Sequence, residues 1–421
     1  MYQISQLENG LAVATARMPH MASASLGIWV GVGGRHEPKE ISGVSHFIEH
    51  LLFKGTRKRS AREISQAVEG LGGYLNAFTG EENSCFYCKG RHEHFGVMLD
   101  VLADMFLGSR FELADIDKER QVIKEEIAMY LDQPHQQVQE LLNETLWPDQ
   151  PLGRSITGSK ESLDRIGRKQ MLGYQKANYV ARATLIAAAG HVEHAQVVQS
   201  VKKYARKFPL GSPASYTPAV ARQTKPALRL VTKATEQTQM ALGIRACSRH
   251  DQRRFALRML NAVLGENMSS RLFQTIREEQ GLAYSIYSVN SFFDDAGDLV
   301  ISAGLDLDKL EKTLGIVLGE LRRLREQLVP RQELHRAREY LIGQLDLSLE
   351  SSESQMTWVG ENWLAYGRII PPQEIKDRLK SVQAGEVRAA ARELFRPDRY
   401  NLALVSPLKR TERLERLLAK G

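Results

Sequence analysis

The spacing of apolar and polar positions changes along the chain, and each change marks an element. Residues 24–33 are apolar almost without interruption, the pattern of a strand covered on both faces and therefore central in its sheet. Before them, Met1–Leu7 and Leu11–Ala14 read as a hairpin joined at a tight Asn9-Gly10 turn. Tyr74–Thr79 and residues 83–90 read as two paired strands around a polar turn. Helical periodicity governs residues at about 60–70, 92–108 and 115–127, with Asp115 placed to cap the last. A strand at Thr184–Ala189 closes the first half. Pro209, Gly211, Pro213, Pro218 and Pro226 then mark a linker.

The second half repeats the first. Gly281-Leu282 precedes a strand pair as Gly70-Leu71 does, at an offset of 211. Leu394-Phe395 precedes the strand Asn401–Val405 as Asn178-Tyr179 precedes Thr184–Ala189, at an offset of 216. Long helices follow the strand pairs at about 92–108 and 307–327. The predicted fold is α+β: two homologous repeats, each an antiparallel sheet with helices packed on one face. Their expected bounds are 1–208 and 227–421, with 209–226 between them. A length of 421 residues suits two such domains.

Composition narrows the function without naming it. No apolar run approaches the ~18–20 residues of a membrane span, and the N-terminus has no features of a secretory or transit peptide. The expected location is therefore a bacterial cytoplasm, with no membrane partner. The net charge of +7 is spread along helices with acidic neighbours, as in Arg322-Arg323-Leu324-Arg325-Glu326, so no nucleic-acid partner is expected. Cys85 and Cys88 lie in a strand-like run, where residues three apart point to opposite faces. The three cysteines make neither a disulfide framework nor a zinc site.

Candidate chemistry begins at Ser45-His46-Phe47-Ile48-Glu49-His50. On a helix, His46 and His50 stack one turn apart and can both reach one Zn²⁺. Glu49 lies at the edge of the same face, close enough to orient a metal-bound water and take its proton. Gly43 and Ser45 offer a cap-competent entry, and Lys54-Gly55 a stop. The order H-x-x-E-H is the reverse of the H-E-x-x-H zinc motif. Two surface histidines flanking a helix carboxylate would carry the same letters. In the 115–127 helix, Glu126 falls about 20° from Glu119 around the axis, whereas Glu125 is about 120° away. Two carboxylates beside Val122 and Ile123 suit a cation lying against that face, although a solvated face also permits the pair.

Taken together these residues resemble a family. His46-Phe47-Ile48-Glu49-His50, with Glu126 following 76 positions after His50, is similar to the pitrilysin-type zinc metallopeptidases. The subgroup it most resembles is that of the mitochondrial processing peptidase and its bacterial relatives. Glu119-Arg120, Asn76-Ala77 and Pro151-Leu152-Gly153-Arg154 belong to the resemblance. So do Ser270-Arg271-Leu272-Phe273, Ile276-Arg277-Glu278 and Gly281-Leu282-Ala283-Tyr284. The resemblance implies a zinc endopeptidase with one Zn²⁺ per chain, held by His46, His50 and Glu126. It implies Glu49 as general base on a zinc-bound water and Glu119 as a supporting carboxylate. Asn76 and Ala77 become the edge strand to which substrate adds, and Arg277 with Tyr284 a pair that reaches substrate from the opposite wall. The family's closed chamber holds four repeats and admits peptides or unfolded segments, so a two-repeat chain is expected to form a homodimer with composite sites. Two alternatives are a non-catalytic scaffold like the core subunits of the respiratory bc₁ complex, and the zinc-bearing subunit of a heterodimer.

Overall fold

The apolar run at 24–33 forms a strand, Ser23–Val30, in which every residue after Ser23 is buried. The computed structural model describes all residues, Met1–Gly421. Two compact units account for them: 1–127 with 154–217 and 346–370, and 128–153 with 218–345 and 371–421. The linker at 209–226 contains one crossing between the units, and the others fall near 127, 153, 345 and 370.

In the first unit the strands are β1 (Tyr2–Gln6), β2 (Ala12–Arg17), β3 (Ser23–Val30), β4 (Tyr74–Thr79), β5 (Ser84–Arg91) and β6 (Thr184–Gly190). They are ordered β1-β2-β6-β3-β5-β4. All neighbours are antiparallel except β2 and β6. The first hairpin is looser than a two-residue turn: Gly10 takes a left-handed φ of 89°, and the Asn9 side chain accepts the Leu11 N–H. One face of the sheet packs against α1 (Val44–Leu52), α2 (Ala61–Glu69), α3 (Phe95–Gly108) and α4 (Leu113–Asp132). Phe47, Ile48, Leu51, Phe106, Ile116 and Ile123 share that core. Helix α4 begins two residues before Asp115, which therefore sits in its first turn and does not cap it.

In the second unit β7 (Ala227–Thr232), β8 (Thr238–Ala246), β9 (Ala283–Phe292), β10 (Gly297–Leu305) and β11 (Asn401–Ser406) are ordered β7-β11-β8-β10-β9. With β1 removed, the first sheet has the same order, and the parallel pair, here β7 with β11, recurs at the same place. The repeat expected from the sequence is thus visible strand by strand.

Each sheet has a second covered face, and its helix comes from the other half of the sequence. Helix α5 (Pro134–Leu146) packs Val138, Leu142 and Leu146 on Ala241, Val300 and Ala403 of the second sheet. After α6 (Arg168–Asn178), helix α7 (Ser352–Tyr366) packs Met356 and Val359 on Trp29, Leu185 and Ala187 of the first. No helix is long and apolar enough to cross a membrane.

Gly360 lets α7 approach β3: a Cβ there would stand 2.1 Å from the Trp29 ring. Gly360→Ala is therefore expected to destabilise the protein by about 1–3 kcal/mol in denaturant titration, despite alanine's better helix propensity. Gly343, in the helix Arg331–Ser348, has open space at its Cβ, and Gly343→Ala should be neutral or stabilising by up to ~1 kcal/mol.

Candidate metal centre

Helix α1 starts at Gly43, whose φ of 93° and missing Cβ allow it to pass the carbonyl of Thr157. Its apolar residues Phe47, Ile48, Leu51 and Leu52 are buried, which turns His46 and His50 toward α4. Their rings meet edge to face, 4.7 Å between centroids. On α4 the buried stripe Ile116, Ile123 and Ile127 carries Glu119 and Glu126 with it, while Glu125 is exposed. Glu126 Oε2 lies 3.8 Å from His46 Nε2 and 3.7 Å from His50 Nε2.

The ligand-type atoms of His46, His50 and Glu126 all lie within 4.8 Å of one another, and no other group of three His, Cys, Asp or Glu in the chain does so. Two ligands bound tetrahedrally at ~2.0–2.2 Å stand roughly 3.3–3.6 Å apart, so the set fits one zinc ion with little movement. Burial beside His50 lowers the His46 pKa to about 4, leaving the neutral imidazole that a metal requires. His46 and His50 both present Nε2 to Glu126, which makes Nε2 the candidate ligand atom of each.

Glu119 stands behind this set. It is 2% exposed, holds His50 Nδ1 at 3.2 Å and is paired with Lys54 at 2.8 Å. A carboxylate on the far nitrogen of a ligating histidine fixes its tautomer and ring orientation. Glu49 lies beside the set and outside it: Thr79 Oγ1 donates to its Oε2 at 2.5 Å. Burial raises the Glu49 pKa, opposed by Thr79 and His50 and assisted by Glu126, which is the direction a base working near neutrality needs.

Asn76 and Ala77 lie on β4, an outermost strand paired only with β5. The Ala77 N–H donates to its neighbour Asn76 Oδ1 at 2.9 Å. In the second unit Arg277 stacks over the rings of Phe273 and Tyr284, at 4.8 and 5.3 Å to their centroids. Arg277 lies in a π-helical segment, Phe273–Glu279, and Tyr284 is 78% exposed at the start of β9. Irregular helix of this kind is frequent at functional sites.

Sequence reasoning missed three partners. Lys54 follows His50 by one helical turn and Thr79 shares the face of Ala77 at period two, so both were legible in principle. Glu37 was not: buried, it reaches the start of α1 from a loop, and burial pushes its carboxyl up to about 7 against the Ser45 and Gly43 N–H groups. Ser45 does not cap the helix; its hydroxyl meets that of Tyr174 at 3.0 Å.

A family model described as "Insulinase (Peptidase family M16)" matches residues 12–160, and one described as "Peptidase M16 inactive domain" matches 165–341. A Bacillus subtilis protein named "Uncharacterized zinc protease YmxG" is 37% identical over 95% of this chain and 97% of its own length. An uncharacterized zinc protease of Streptomyces coelicolor is also 37% identical, over 96% of this chain and 89% of its own. The fold is shared with a Helicobacter pylori protease at TM-score 0.91 and 21% identity, covering 97% of this chain and 99% of that one. It is shared too with a chain of complex III2 from Candida albicans at TM-score 0.85 and 16% identity, covering 99% of both.

The helix faces give a test that needs no substrate. Glu126→Ala is expected to weaken zinc affinity, measured by chelator competition, at least ~10-fold, whereas Glu125→Ala leaves it unchanged. Equal effects from both would remove Glu126 from the ligand set.

Proposed function

The chain belongs to peptidase family M16, the insulinase family, and on that premise we propose that it is a zinc-dependent endopeptidase acting on peptides or unfolded segments. The observation that carries this reading is the convergence of His46, His50 and Glu126 on one point, with Glu49 beside them. These three residues would hold one zinc ion per chain. Zinc, when bound, supplies Lewis acidity that makes water acidic near neutral pH and polarises a carbonyl.

The protein's own groups do the rest. Glu119, kept in place by Lys54, orients the His50 ring. Thr79 holds one Glu49 oxygen and leaves the other to take the proton of the attacking water and pass it to the departing amine. An extended substrate adds along the open edge of β4 near Asn76 and Ala77. Arg277 and Tyr284 supply donors of the type that steady substrate backbone or a tetrahedral oxyanion. Within a closed chamber formed by a homodimer, each site takes its metal from one chain and the Arg277–Tyr284 pair from the other.

The scaffold alternative gains a precedent in fold from complex III2 but gives no reason for four metallopeptidase side chains to be in register. Glu49→Gln separates the readings. Zinc content is expected to be retained while peptide hydrolysis falls by on the order of 10²-fold or more. Wild-type protein that binds zinc and hydrolyses no member of a random peptide library would favour the scaffold.

The composite site has its own test. Glu49→Gln and Arg277→Ala/Tyr284→Phe are each expected to be inactive, and subunit exchange between them should restore roughly a quarter of the wild-type sites. Activity in an isolated monomer, or no recovery on mixing, rules the arrangement out.

A further inference from the structure

Gly43 begins α1 and has no side chain with which to cap it. An uncapped helix start leaves backbone N–H groups without partners, and at a buried site each costs about 1–3 kcal/mol. Here two of them, those of Gly43 and Ser45, are satisfied by one residue, six positions upstream of Gly43. Glu37 Oε2 accepts the Gly43 N–H at 2.6 Å, and Glu37 Oε1 accepts the Ser45 N–H at 2.7 Å. The carboxylate also lies at the positive end of the α1 dipole.

Glu37 is itself held. It is 4% exposed, and Arg154 donates to its backbone carbonyl at 2.7 Å. Two residues earlier, the Arg35 N–H donates to the Glu81 carbonyl at 2.8 Å and the Arg35 guanidinium to Glu82 at 2.6 Å. Gly34 N–H donates to the Gly80 carbonyl at 3.1 Å. Residues 34–37 thus grip the β4–β5 turn at one end and the start of α1 at the other. Asn76, Ala77 and Thr79 lie on the strand that enters this turn. His46 and Glu49 follow within two turns of the helix start.

We infer that Glu37 is a positioning residue for the metal centre: its carboxylate sets where α1 begins, and so where His46, Glu49 and His50 stand relative to Glu126 and the β4 edge. The inference rests on the proposed zinc site. A carboxylate presents acceptors on both oxygens. A glutamine of the same size presents one and turns an NH₂ toward the other N–H, so the helix start must shift or lose a bond. A misplacement of about 1 Å at a reacting group can lower a rate by on the order of 10²-fold.

The test compares wild type, Glu37→Gln and, as a control for stability alone, Gly360→Ala, which perturbs the same unit away from the site. Zinc affinity by chelator competition is expected to fall ~10–100-fold in Glu37→Gln, and the visible absorption of the Co²⁺-loaded protein to change. Turnover should fall with KM largely unchanged. Gly360→Ala should lower thermal stability and move none of these. If Gln at position 37 prevents folding, Glu37→Asp, which keeps the charge but is too short to reach both N–H groups, carries the same comparison. Zinc affinity and Co²⁺ spectrum identical to wild type, with only stability lost, overturn the inference alone. Wild-type protein that binds no zinc overturns the proposed site, and the inference with it.

Discussion

Helices α1 and α4 lie some seventy positions apart in sequence, and the proposed chemistry depends on their side chains meeting at one point. Phe47, Ile48 and Leu51 from one and Ile116, Ile123 and Ile127 from the other are buried in a single core. Each such side chain contributes about 1.5–3 kcal/mol, whereas one polar contact adds about 1 kcal/mol. Apolar packing therefore decides how close the helices come, and the polar contacts decide how the rings and carboxylates turn once they are there. Glu119 shows the limit of that division. It is a charge inside the apolar stripe, tolerable because Lys54 and His50 both face it, and removing either partner would strand it.

Much of this site was readable because it is local. The 3.6-residue period alone puts His46 with His50 and Glu119 with Glu126, and separates Glu125 from both. The offsets of Gly281-Leu282 and Asn401–Val405 implied that the second half repeats the first, and the strand orders of the two sheets agree with that. What escaped was non-local. An amphipathic pattern in α5 or α7 says that a face is buried and is silent about which sheet covers it. Glu37 sits in a loop with no period, and its role appears only when the chain folds back to bring its carboxylate to Gly43. The π-helical turn carrying Arg277 has no distinct letters either.

The two repeats have diverged where one would look for a second metal centre. The helix after β8, Arg254–Leu264, occupies the place that α1 takes after β3, and it carries no histidine or glutamate. Its buried polar residue is Asn261, which bonds Glu266 and Ser288 and so ties the helix end to its own sheet. The same scaffold position thus carries the candidate metal ligands in one unit and an apolar helix tied to its own sheet in the other. Half-buried Arg277 and exposed Tyr284 lie instead around the segment leading into β9.

The exchanged helices also bear on how the protein is made. The last strand of the first sheet ends at Gly190, yet α7, which covers that sheet's second face, begins at Ser352, 162 positions later. At ~5–20 residues per second, a ribosome needs roughly ten to thirty seconds to deliver it. Throughout that interval Trp29, Leu185 and Ala187 lack the helix that covers them, so the nascent chain is a natural client for a chaperone. Premature termination anywhere before residue 352 would leave His46, His50 and Glu126 in the chain and the first core incomplete.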